Sequence, residues 1–62
     1  MKNCEMSRKG NQFAIFLAGQ PITNFMPFSD LIHYAEAHKW VIPAKYWDAE
    51  DGEYSYLTTS KA

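Results

Sequence analysis

Asp48, Glu50, Asp51 and Glu53 put four carboxylates within six residues, inside the stretch KYWDAEDGEYSYL. Acids this close could hold a hard cation or act as an acid–base pair. A calcium loop needs oxygen ligands at fixed positions along a longer segment, and DAEDGE lacks that spacing. Glycoside hydrolysis needs two carboxyls facing each other across a cleft. A chain of 62 residues with one candidate helix rarely forms such a cleft.

Other reactive side chains are scattered. His33 and His38 are five apart, about 140° apart around a helix, so they cannot share one ion as a pair four apart can. Cys4 is remote from both. Ser29 and the run Thr58-Thr59-Ser60 have no base beside them in sequence, and nucleophilic catalysis requires one. Gly10, Gly19 and Gly52 lack the strand–glycine–helix context of a phosphate loop. The expectation is a non-enzymatic chain with no metal and no cofactor.

Binding is the chemistry that remains. Ten residues are aromatic, 16% of the chain, enough either for an aromatic core or for rings on display. Tyr and Trp are enriched at protein interfaces. The stretch from Lys45 to Glu53 carries one base against four acids, a charge that steers toward a basic surface. Tyr46, Trp47, Asp48, Glu50, Asp51, Glu53, Tyr54 and Tyr56 are therefore the candidate protein-contact residues. The competing reading makes the rings core and the acids a solvated turn.

Charge argues against nucleic acid as the partner. The net charge is −1, Arg8 is the single arginine, and the five lysines are spread out, whereas phosphate binding rests on clustered cations. Aromatics along a sheet can nonetheless stack bases, so a weak binder using the sheet and a basic N-terminal segment stays as an alternative. No apolar run approaches the ~20 residues of a membrane span. MKNCEMSRKG is not followed by a signal-type apolar stretch. One cysteine permits no intrachain disulfide, so a reduced, cytoplasmic setting is expected.

The elements that must position these residues follow from pattern. Residues 1–10 mix polar and charged types without period and read as a flexible basic arm. Residues 11–60 are expected to form one compact α+β domain. QFAIFLA alternates Phe13, Ile15 and Leu17 against Ala14, Phe16 and Ala18, with both sets apolar, which hints at a second layer or a partner subunit. A turn at Ala18–Pro21, with Gly19 at positive φ, leads into PITNFM as a second strand. PFSDLIHYAEAHKW reads as a helix capped by Ser29 or Asp30, with Leu31, Ile32, Ala35 and His38 on its inner stripe. Lys39 suits its negative end. His38 is expected partly buried and His33 exposed. Trp40-Val41-Ile42 returns as extended chain, stopped by Pro43.

Asp51-Gly52 then marks a second hairpin. A two-residue turn there pairs Glu50 with Glu53, Trp47 with Tyr56 and Tyr46 with Leu57. It puts Trp47, Tyr54 and Tyr56 on one face and Tyr46 and Leu57 on the other. A short helix AKYWDAED ended by Gly52 is the rival, disfavoured because acids would crowd its negative end. The sum is an antiparallel sheet of three or four strands in two hairpins, one helix on a face, in the order ββαβ(β).

For function, the expectation is a protein-binding module or inhibitor that occludes a basic surface of a larger protein. Size and composition fit small phage or mobile-element proteins that block host enzymes or defence complexes, anti-CRISPR inhibitors among them. The alternative is a homo-oligomer that self-associates through its sheet.

Overall fold

The structure is a computed structural model that describes residues 2–57. The described residues form an α+β fold, with one helix and a mixed six-stranded sheet. In chain order the elements are β1 (Lys2–Asn3), β2 (Glu5–Lys9), β3 (Gln12–Leu17), β4 (Gln20–Pro21), β5 (Met26–Pro27), α1 (Phe28–His38), β6 (Trp40–Val41), β7 (Lys45–Asp48) and β8 (Glu53–Tyr56). The sheet runs β4-β3-β2-β7-β8, and β5 also pairs with β3. A separate ladder joins β1 to β6 in parallel.

The segment expected as a mobile arm is instead the middle of the sheet. β2 pairs antiparallel with β3 and parallel with β7, so the sheet is mixed rather than antiparallel. Alternation sends Met6 and Arg8 to one face and Glu5, Ser7 and Lys9 to the other. Met6 is 2% exposed. Hydropathy hides this strand because the second inward position is an arginine, whose charge is balanced by a residue forty positions away.

Helix α1 covers one face. Leu31 and Ala35 bury against Met6 and Ile15, and Phe13, Met26, Phe28, Tyr46, Trp40 and Leu57 pack around them. Burying an aliphatic side chain of this size contributes roughly 1.5–3 kcal/mol. Phe13 meets Phe28 at 5.0 Å and Tyr46 edge-on at 5.3 Å. Ile32 is half-buried, while His38 is exposed and stacks on Tyr34 at 4.2 Å. Both histidines are therefore on the surface. Nor do Ser29 or Asp30 cap the helix: the N-cap is Pro27, and both lie in the first turn. Lys39 closes the other end in left-handed conformation, with its N–H donating to the Ala35 carbonyl.

The first hairpin is partly as expected. Ala18 and Gly19 both have positive φ, 53° and 79°, the signature of a two-residue turn matched to strand twist. PITNFM is not one strand, however. Its ladder pairs with β3 are confined to its ends, β4 and β5, with one further backbone bond from the Ile22 N–H to the Ile15 carbonyl at 2.7 Å. Between them, the Ile15 N–H donates to Thr23 Oγ1 at 3.1 Å, and that hydroxyl donates to the Asn24 carbonyl. A side chain thus replaces the missing ladder acceptor for a residue with no exposed surface. Thr23→Val should cost about 1–3 kcal/mol, the penalty of a buried donor without a partner. Thr23→Ser should restore most of it. Chemical denaturation reads both; an unchanged Val variant would mean that another group satisfies Ile15.

The second hairpin forms as strands, not as the rival helix, but two residues out of the expected register. Trp47 pairs with Tyr54, Tyr46 with Ser55 and Asp48 with Glu53. The loop is Ala49–Gly52. Asp48 causes the shift: its Oδ1 accepts the N–H of Glu50 at 3.0 Å and of Asp51 at 3.2 Å, and its carbonyl accepts the Gly52 N–H at 2.7 Å. This side-chain-capped loop outcompetes the tight Asp-Gly turn. A slip of two preserves the faces, so Trp47, Tyr54 and Tyr56 still share one.

Candidate protein-binding face

Strand alternation and the observed registers place Phe16, Ser7, Glu5, Lys45, Trp47, Tyr54 and Tyr56 on the sheet face opposite α1. Trp47 is 39% exposed, Tyr54 58% and Tyr56 70%. Large rings at that exposure are the informative exception to apolar burial. The Trp47 and Tyr54 rings meet edge-on at 5.1 Å across the strand pair. The Lys45 ammonium lies 4.7 Å above the Tyr54 ring. On the far side Phe16 meets Phe25 at 6.4 Å. Between them is an open depression of about 420 Å³, lined among others by Glu5, Ser7, Phe16, Pro43, Trp47 and Tyr54.

The eight residues expected as one contact surface divide in two. Trp47, Tyr54 and Tyr56 are displayed, and Glu50, Asp51 and Glu53 are exposed at the loop and strand end beside them. Tyr46 is not displayed; it is half-buried against the core. Asp48 is 3% exposed, the one buried charged side chain among the described residues. Its Oδ2 accepts from Arg8 Nη2 at 2.5 Å. The Arg8 guanidinium also donates from Nη1 to the Gly10 carbonyl at 2.8 Å. That hydrogen bond from Arg8, with the loop N–H groups, holds the Asp48 carboxyl below the usual carboxylate range against the opposing effect of burial. The acidic surface is thus smaller than the sequence implied, because one acid is neutralised from below.

The protein-contact set expected from the sequence left out Phe16, Glu5 and Ser7, which share this face. The signal for Phe16 was present, since both faces of QFAIFLA are apolar. Glu5 and Ser7 carried none while their segment was read as an arm. The Cys4 thiol donates to the Val41 carbonyl at 3.3 Å, and burial pushes its pKa up; a thiol so held is a poor nucleophile. Among the described residues, no group of three or more His, Cys, Asp or Glu could hold a metal, and no helix is long and apolar enough to cross a membrane.

Fold and face together describe a small α+β chain in which the described residues leave one sheet surface uncovered and rich in aromatic rings. No family model matches it, and neither does any curated protein or solved structure.

Proposed function

We propose that the chain is a non-catalytic protein-binding module whose contact is the helix-free face of the sheet. The observation that supports this is the placement of Trp47, Tyr54 and Tyr56 on one surface, each more than a third exposed. Broad, stiff rings supply contact area at low entropic cost, and interface hot spots are enriched in them. Glu50, Asp51 and Glu53 flank the rings and steer toward a basic partner surface. Docking there occludes that surface, which gives the module an inhibitory or modulating role. The nucleic-acid alternative loses its arginine, because Arg8 is engaged with Asp48.

The test is affinity capture from lysate, followed by titration of whatever single protein is retained. Trp47→Ala with Tyr54→Ala should weaken binding by on the order of 100-fold, the loss of two hot-spot rings. Reversing Glu50, Asp51 and Glu53 to Lys should mainly slow association and flatten its salt dependence. Both variants alter exposed side chains and should keep the native circular dichroism. Undiminished capture by a folded ring variant would sink the assignment.

A further inference from the structure

β8 ends the sheet, and among the described residues it pairs with β7 alone. Its hydrogen-bonding phase follows from one contact: the Leu57 N–H donates to the Ala44 carbonyl at 2.8 Å. Antiparallel ladders alternate bonded and non-bonded pairs. Tyr46–Ser55 and Asp48–Glu53 are therefore bonded pairs, and Trp47 turns its backbone the other way, toward β2. Tyr54 and Tyr56 must then aim their N–H and C=O groups outward, at the free edge. The opposite edge is blunted, since β4 and β5 each contain a proline with no N–H to offer. β8, four residues with Glu53 its one charge, has neither proline nor lysine, two of the devices that keep an edge unpaired.

We propose that this edge pairs with a second copy of the chain, β8 antiparallel to β8 about a two-fold axis at Ser55. Charge and phase favour that register among those whose bonded pairs use described residues alone. Tyr54 of one copy then lies opposite Tyr56 of the other, and every outward backbone group of both tyrosines is bonded. Glu53 falls opposite Leu57, so the acidic loops point away from each other at the two ends. An axis at Glu53 would set two glutamates face to face, which is destabilising. An axis at Tyr54 would set Tyr56 against Gly52, whose N–H already donates to Asp48. The paired edges make one continuous sheet and join the two aromatic faces into one surface. This inference rests on backbone phase and not on the proposed contact face, so the two can fail separately.

Sedimentation equilibrium from micromolar to millimolar protein should show the mass rising from 7.2 kDa toward twice that value. Over the same range the Tyr54 and Tyr56 amides should become protected from hydrogen exchange, while the Ser55 amide, bonded to β7, should not change. Tyr56→Pro deletes an outward N–H without touching the β7 ladder, and should leave a monomer. Tyr54→Lys with Tyr56→Lys keeps the backbone intact and sets like charges across the axis, with the same result. Trp47→Ala should leave the dimer unchanged. A monomer at millimolar concentration with freely exchanging Tyr54 and Tyr56 amides would overturn the proposal, as would a dimer that survives both edge variants.

Discussion

Asp48→Asn is expected to lower the melting temperature by on the order of 10 °C, and Asp48→Ala by more, because the half-buried Arg8 guanidinium loses the buried charge that it faces. The two variants separate two roles of one side chain. Asparagine keeps a carbonyl oxygen that can still accept the Glu50 and Asp51 N–H groups, so the loop keeps its shape. It removes only the charge that Arg8 faces. Alanine removes both, leaving the loop donors without their acceptor and the guanidinium with only the Gly10 carbonyl and, 3.9 Å away, the Glu50 carboxylate. Arg8 Nε is already buried without a partner, so this guanidinium has no spare satisfaction to lose.

Acid should expose the same pair. The folded carboxyl titrates below its unfolded value of about 4. Its contribution to stability is therefore fully present above about pH 4 and is lost as pH falls through the depressed folded value. Melting curves of the native chain should decline over that acidic window, and those of Asp48→Asn should decline less. Parallel curves for the two proteins would show that the pair is not what acid breaks.

Leu31→Ala should cost about 3 kcal/mol, within the range for deleting a buried leucine and leaving a cavity. Leu31 has no exposed surface and meets Met6, Ile15 and Ala35. It is the largest side chain that α1 buries completely, so the helix is seated on the sheet mainly through it. A chain of this length buries only ~60% of its unfolded surface, and its total stability is small. The variant should therefore be substantially unfolded at ambient temperature, with urea denaturation showing little or no folded baseline. A loss below about 1 kcal/mol would mean that the helix is held by its rim of half-buried rings instead.

Several features are legible in the sequence. The α1 span and its Leu31–Ala35 stripe followed from helical spacing, because one face had to find a core. Gly19 and Gly52 both adopt the positive φ that their turns demand. The common face of Trp47, Tyr54 and Tyr56 survived a register error, since a slip of two leaves side-chain parity alone. The open aromatic surface was half visible in QFAIFLA, whose two apolar faces could not both lie under a single helix.

Other features depended on partners distant in sequence, and local pattern cannot contain those. EMSRK reads as polar arm until Asp48, forty residues on, balances Arg8; only then can an arginine occupy an inward position on a central strand. The same aspartate resets the loop and hence the register, because its carboxylate is held in place by Arg8 as well as by the loop amides. PITNFM failed as a strand because Thr23 bonds across to Ile15, a contact that strand propensity does not weigh. Composition and periodicity thus determined the class of fold, its helix and the ring-bearing hairpin, all set by short-range burial. The central strand, the mixed sheet and the division of the hairpin into buried Tyr46 and Asp48 against displayed Trp47, Tyr54 and Tyr56 were decided by the tertiary structure. Each turns on a charge or hydrogen-bond partner that only folding brings near.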